Sequence, residues 1–186
     1  MTILRTRLPS ESRGPSAGNG ALHVDAAAYT LTAFGTTYPC LIGRSGAVAA
    51  AGKREGDGAT PLGNWPVRAV LLRADRVAAP ATRLPWRWLR RNDGWSDDVR
   101  DRAYNRPVRH PHGFSAEHLW RDDGLYDVIV TLGHNDAPVV AGAGSAIFLH
   151  CADPDGKPTE GCVAVARADL LALVAQLAPG ALLTIA

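Results

Sequence analysis

"SAIFLHCADPDGKPTEGCVAVARADL", residues 145–170, decides the fold. Apolar residues lead from Ala146 into His150, a polar loop of Asp, Pro, Gly and Lys follows, and a second apolar run opens on Gly161-Cys162. Short apolar runs bounded by turn residues read as buried strands, because a few residues cross a sheet whereas a helix needs many more. His150 ends one such strand, and Cys162 starts the next after a loop of eleven residues. If the two strands are neighbours, a hairpin-like return sets the imidazole beside the thiol.

That juxtaposition has a chemistry. A thiol with its ordinary pKa of about 8.5 is only a few per cent thiolate at neutral pH, so it needs a partner for its proton. An imidazole that titrates near pH 6.5 is suited to the task. Gly161 adds access: with no side chain it lets a carbonyl approach, and its amide and that of Cys162 can face a developing oxyanion. A free cysteine is also among the most buried residue types and often only packs. The pair alone therefore leaves packing and catalysis both open.

Outward from this stretch, "YDVIVTLGHN" (126–135) reads as a further buried strand, and "CVAVA" (162–166) as another. "RADLLALVAQLAPG" (167–180) is a helix, with Leu170, Leu171, Leu173, Val174 and Leu177 on one stripe and Pro179-Gly180 as its stop. "ALLTIA" closes the chain as a strand. Upstream, residues 21–43 read as two strands with a turn near Gly35-Thr36-Thr37. Residues 44–74 follow as a short strand, a glycine-rich loop and a strand from about Trp65 to Leu72. Residues 73–120 hold four of the five tryptophans but no sustained periodicity, which predicts an elaborate loop with short elements. The expected fold is mainly β with one or two helices and no βαβ alternation.

Composition narrows the function. At 186 residues the chain fits one domain, residues 21–186, behind a loose polar tail over 1–20. A formal net charge of +2 gives no nucleic-acid footprint, and the basic "RLPWRWLRR" (83–91) is at once offset by "NDGWSDD". Cys40, Cys151 and Cys162 cannot all pair within the chain, and they form no CxxC. No apolar run is long enough for a transmembrane helix, and the N-terminal residues lack the apolar core of a signal peptide. His110, His112 and His118 in "HPHGFSAEH" fit no zinc signature, and "REGDGATPLG" lacks the ending of a phosphate loop. Neither a metal nor another cofactor is implied.

Two motifs carry a family resemblance. "PTEGCVAV" (158–165), preceded by "FLHC" (148–151), resembles the active-site signature of the YkuD-type L,D-transpeptidases: a histidine, a loop, then Ser/Thr-x-Gly-Cys. "AGKREGDGATPLGNWPV" (51–67) resembles the same family's Gly-Lys and Thr-Pro-x-Gly stretch. The resemblance implies a β-sandwich catalytic domain with the cysteine in a cleft. It implies that Cys162 attacks an L-to-D bond in a peptidoglycan stem peptide, releases the terminal D-residue and forms a thioester, which an amine from a neighbouring stem resolves. His150 would be base and acid, oriented by the backbone carbonyl of Cys151, with Gly161 contributing an oxyanion amide and Thr159 shaping the loop. Carbapenem-type β-lactams would be inhibitors and the periplasm the destination.

The chain also departs from the pattern. Glu160 stands where many relatives have a histidine, Ala164 where many have an arginine, and the loop from histidine to cysteine is short. These changes leave nucleophile and base intact but alter the walls of the cleft, as an atypical branch with a non-standard cross-link would. Stem peptides are anionic, and guanidinium suits carboxylates. Arg106, with Tyr104 and Asn105 beside it, is therefore a candidate substrate contact, as are Thr159 and Glu160; a turn before a proline is the plainer reading of Arg106. With water as acceptor the same site would be an L,D-carboxypeptidase or endopeptidase, and with a dead site the domain would be a wall-binding module.

Overall fold

A computed structural model describes residues 20–186, so all but the last residue of the expected tail lies outside the described residues. Residues 21–43 form three strands rather than two: β1 (Ala21–Asp25), β2 (Thr30–Ala33) and β3 (Thr36–Leu41). The extra turn falls between Asp25 and Thr30, where the Asp25 carboxylate accepts the amides of Ala27 and Ala28. It escapes a periodicity reading because alanines fill it. Next come β4 (Ala47–Ala49), a 3₁₀ turn (Ala50–Gly52) and β5 (Thr60–Leu72), which starts five residues earlier than expected.

The short elements expected in the central region are strands. They are β6 (Trp86–Trp88), β7 (Asp93–Ser96), β8 (Pro107–Arg109) and β9 (Ala116–His118), of which the last three make a separate sheet in the order β8-β7-β9. The chain then runs through β10 (Val128–Leu132), β11 (Phe148–Cys151), β12 (Val163–Val165), α1 (Arg167–Gln176) and β13 (Leu182–Ile185).

The main sheet runs β10-β11-β12-β3-β2-β1-β13-β5, and β5 pairs back onto β10. The result is a sandwich closed at two corners, each made by a strand that changes partner at a proline. In β3, residues up to Pro39 pair with β2, whereas Cys40 and Leu41 pair with β12. In β5, residues up to Pro66 pair with β13, and Val67 to Leu72 pair with β10. Proline has no N–H for the ladder, so the switch sits where one hydrogen bond is already missing.

The order of strands corrects one expectation. β11 and β12 are neighbours, but they are parallel, with Leu149 opposite Val163 and His150 opposite Ala164. The connection is a crossover loop, not a hairpin. Its return leg is stitched to the chain after β3 by Thr159 N–H to the Ile42 carbonyl, 2.9 Å, and Arg44 N–H to the Thr159 carbonyl, 2.8 Å.

Strand alternation then sorts side chains by face. Val128, Val130, Leu149, Cys151, Val163 and Val165 point into the main core, which α1 completes with Leu170, Leu173 and Val174, and with Leu177 just past its end. Leu171 is only half-buried, so the stripe is narrower than the sequence suggests. Ile129, Phe148 and Cys162 point the other way, into a second cluster with Leu71, Leu89, Leu119 and Tyr126. The small sheet covers that second face, with Trp95 of β7 set edge-on against Phe148 at 5.0 Å.

Candidate active site

Parallel register places the thiol and the imidazole together. Phe148 is the position opposite Cys162, and His150 is two residues on, so Cys162, Phe148 and His150 share the face under the small sheet. Cys162 and His150 both line a cavity of about 460 Å³. Among the described residues no hydrogen bond joins them; the thiol donates to the Ala146 carbonyl at 3.2 Å and accepts from the Phe148 amide at 3.3 Å.

His150 Nδ1 lies 2.9 Å from the Cys151 carbonyl. A carbonyl can only accept, so Nδ1 carries the proton and the neutral ring keeps its basic lone pair on Nε2. The ring lies edge-on to Tyr126 at 5.2 Å. Burial pushes His150 down to about 4, against the pull of the Cys151 carbonyl. Burial also pushes Cys162 up to about 12, helped by the nearby Glu117 carboxylate. The resting site is thus a neutral thiol and a neutral imidazole, not a preformed ion pair.

The Thr-Glu-Gly-Cys turn is built around one hydroxyl. Thr159 Oγ1 donates to the Cys162 carbonyl at 2.7 Å and accepts from the Gly161 amide at 3.2 Å. Thr60 Oγ1 accepts from the Gly43 amide at 2.8 Å and donates to the same Cys162 carbonyl at 3.3 Å. The two sequence motifs therefore meet at the cysteine. Gly161 sits at φ +132°, and a Cβ there would come within 2.9 Å of the Ala59 carbonyl, so only glycine fits. Its amide faces Thr159 in this state. Glu160 lines the cavity and is held by Arg44 at 2.8 and 3.0 Å.

The three residues of "AYNRPVR" do different work. Asn105 is buried and does not line the cavity; its Oδ1 accepts from the Trp95 indole at 2.9 Å and the Ala146 amide at 3.1 Å, and its Nδ2 donates to the His134 and Asn135 carbonyls. Through Ala146 it fixes the carbonyl that holds the thiol. The buried Tyr104 donates to Glu55, which does line the cavity, at 2.5 Å. Arg106 is exposed and donates to the Asp136 carbonyl at 2.7 Å, outside the cavity lining.

The histidines of "HPHGFSAEH" do not converge: His110 stacks on His118 at 3.5 Å, and His112 pairs with Asp101 at 2.7 Å. Among the described residues, no group of three His, Cys, Asp or Glu is placed to hold a metal ion. The cavity's other charged lining residues include Lys53 and Glu55 from the Gly-Lys stretch and Asp153 and Lys157 from the crossover loop, whereas Asp97, Glu117 and Arg121 gave no sequence signal. Glu117 lies on a three-residue strand, too short to show a period.

Solved structures of similar shape include L,D-transpeptidase 3 from Mycobacterium tuberculosis in complex with a faropenem-derived adduct, at 15% identity and a TM-score of 0.44, covering 90% of this chain and 60% of that one. L,D-transpeptidase 1 from Mycobacterium tuberculosis aligns at 10% identity and a TM-score of 0.43, covering 90% and 58%. Bd1075 from Bdellovibrio bacteriovorus aligns at 16% identity and 0.48, covering 90% and 48%. The chain thus spans about half to three fifths of the length of these structures. No curated protein matches the sequence. The family profile of YkuD, the L,D-transpeptidase catalytic domain, matches residues 19–185, a span that takes in every strand of the sandwich, the crossover loop and the cavity. The chain belongs to the YkuD family of L,D-transpeptidase catalytic domains.

Proposed function

We propose that this domain is a cysteine acyltransferase that cross-links peptidoglycan stem peptides. The observation that carries the reading is the His150 tautomer: with Nδ1–H on the Cys151 carbonyl, a basic Nε2 belongs to a ring that lines the same cavity as Cys162. The stem's carbonyl enters the cavity, Nε2 takes the thiol proton, and Sγ attacks to give a tetrahedral oxyanion. The Cys162 amide faces that oxyanion, joined by the Gly161 amide once it leaves Thr159. Collapse expels the terminal D-residue as an amine, protonated by His150, and leaves a thioester. An amine of a second stem then attacks the thioester under the same base. Thr159 holds the turn, and Glu160 forms part of the donor wall.

Burial keeps the His150 ring neutral at any pH well above 4, so Nε2 is free to accept the thiol proton; as it is a weak base, the proton moves while Sγ bonds to the carbonyl and not before. The substrate places the working protein in the periplasm, and carbapenem-type β-lactams would acylate the same thiol. The test is mass spectrometry of the intact protein with tetrapeptide-stem muropeptides and with a carbapenem, alongside Cys162→Ala. The expected result is a covalent adduct and cross-linked dimers, both lost in the variant. Trimmed monomers alone would make the domain a hydrolase, and absence of any adduct would leave it a wall-binding module.

A further inference from the structure

Lys53, in the loop before β5, has no task in thioester formation, yet it is 2% exposed and lines the cavity with Cys162. A buried ammonium is costly unless a partner is held in place for it. That partner is the Asp57 carboxylate, four residues on, and Lys53 Nζ also donates to the Arg54 carbonyl at 3.1 Å. Asp57 does more than pair. It accepts the Arg54 amide at 2.8 Å and the Ala59 amide at 2.9 Å, so one side chain gathers both ends of residues 53–59. With side-chain exposures of 3% and 24%, the pair is shielded from the screening that weakens ion pairs at the rim.

The loop closed in this way lies between two segments that hold Cys162. On one side it meets residues 142–146. The Glu55 amide donates to the Gly142 carbonyl at 2.9 Å, and the Lys53 stem packs on Gly144, where a Cβ would come within 3.0 Å of Lys53 Cγ and Cε. Gly144 stands two residues before Ala146, whose carbonyl accepts from the Cys162 thiol. On the other side the loop meets the Thr-Glu-Gly-Cys turn. Ala59, held by Asp57, sets its carbonyl so close behind Gly161 that no Cβ fits, and the next residue, Thr60, donates its hydroxyl to the Cys162 carbonyl. Lys53 stands at the junction. Its stem lies against the first segment, and its ammonium is bound to the carboxylate that fixes the second.

We propose that the Lys53–Asp57 pair is a positioning brace for acyl transfer: it fixes the spacing between the Ala146 carbonyl that holds the thiol and the Gly161-Cys162 amides that meet the oxyanion. The proposal rests on the acyl-transfer reading above and adds two residues that act on it through others. Oxyanion donors work because they are aimed before the charge develops, and a small displacement forfeits much of their effect. The two charges act as a unit, since removing one leaves the other buried without its partner. The ammonium has a second, smaller influence. Burial and then Glu117 raise the Cys162 thiol, and Lys53 pulls it back together with the Phe148 amide.

The experiment sets an acylating probe against an alkylating one. A carbapenem must form an oxyanion at its carbonyl, whereas iodoacetamide needs only a reachable thiol. Both are followed as intact-mass adducts, with Cys162→Ala as the blank. Lys53→Met keeps the stem and removes the charge. It should slow acylation roughly tenfold or more and alkylation about threefold or less, with the acylation loss in the maximal rate and not in the half-saturating concentration. Asp57→Asn keeps one acceptor oxygen and should show the same pattern to a smaller extent; where Lys53→Met does not fold, it carries the same comparisons. The double variant should acylate about as slowly as Lys53→Met, because partners in one unit do not add. Equal losses with both probes, a loss confined to the half-saturating concentration, or additive losses would overturn the proposal. Hydrogen exchange gives a readout independent of acylation. The Ala146 and Gly161 amides are both hydrogen-bonded, to Asn105 and Thr159, and in folded Lys53→Met both should exchange faster. Unchanged protection at either amide would sink the brace even where the thioester forms. Wild-type protein that alkylates but never acylates, while Lys53→Met loosens both amides, would instead refute the acyl-transfer reading and leave the brace standing.

Discussion

The two faces of β10, β11 and β12 come from the same few residues, yet they do opposite things. The inner face carries Val128, Val130, Leu149, Cys151, Val163 and Val165, all in the main hydrophobic core, where the Cys151 thiol makes only a weak approach to the Val128 carbonyl at 3.9 Å. The outer face carries Ile129, Phe148, His150 and Cys162 under a sheet that brings carboxylates and an arginine. Cysteines sample both. Burial lifts Cys40 and Cys151 to about 11 and Cys162 to about 12, so the thiol on the outer face is no more acidic than the other two. Acidity does not single out Cys162. What sets Cys162 apart is its place: it lines the cavity together with His150, and its S–H donates to the Ala146 carbonyl.

The sharpest way to break that contrast is to exchange thiols for methyls. Cys162→Ala should abolish carbapenem adducts, a loss of three orders of magnitude or more in labelling rate. Cys40→Ala should keep them and cost about 1–2 kcal/mol of stability through a small cavity. Intact-mass labelling and denaturant melts check both. A Cys40 adduct of equal yield would mean that access through the cavity is not what selects the thiol.

His150 comes next. His150→Gln keeps size but loses the base, so acylation at neutral pH should fall by about 10² to 10⁴. The same residue sets a stability slope. Above pH ~6.5 neither the folded nor the unfolded imidazole holds the extra proton. As pH falls toward 4, the unfolded chain takes up a proton that the buried ring refuses, and the native state loses up to about 3 kcal/mol. Thermal melts across pH 7 to 4 should show the decline, and His150→Gln should flatten it. A wild-type curve flat over that window would mean that His150 is solvated.

Much of this was legible in the sequence, and for physical reasons. The apolar runs ending at His150 and starting after Cys162, and the helix stopped before Pro179-Gly180, are strong because each is bounded by turn chemistry and buried on contact. The direction of β12 was not legible: an eleven-residue loop serves a crossover as well as a return, and only its stitching to Ile42 and Arg44 decides. The small sheet was hidden because its flanking strands, Pro107–Arg109 and Ala116–His118, are three residues long and half polar. With it the sequence hid Glu117 and Asp97. Asn105 was noticed as a polar neighbour of Arg106; its task is visible only in three dimensions, where one amide spans Trp95, His134, Asn135 and Ala146.

That amide offers a third test, on the support of the outer face. Asn105→Ala leaves several buried donors and acceptors without partners, each worth about 1–3 kcal/mol. We expect a stability loss of about 3 kcal/mol and a roughly tenfold slower acylation of the folded protein, as Ala146, at φ +52°, is released from its strained position. Melts and labelling rates taken at a temperature where the variant is folded separate the two effects. A slower rate that simply tracked the unfolded fraction would remove the positioning role and leave packing.

The smallest effect belongs to Glu160, and it is the most informative about the motif. Its carboxylate lies at the rim, with its side chain 76% exposed and Arg44 51% exposed, so water and salt screen the pair. Glu160→Gln should change stability by less than about 1 kcal/mol, and the change should shrink as salt is added. Its effect on acylation should be equally modest, because the turn is held by Thr159 and Thr60 on the Cys162 carbonyl and not by the rim pair. Arg44→Ala should match Glu160→Gln in melts if the bond between them is the whole of their role. A loss of acylation in Glu160→Gln approaching that of His150→Gln would place Glu160 among the groups that touch the reacting stem. The line between supporting rim and reactive floor would then have to be drawn one residue further out.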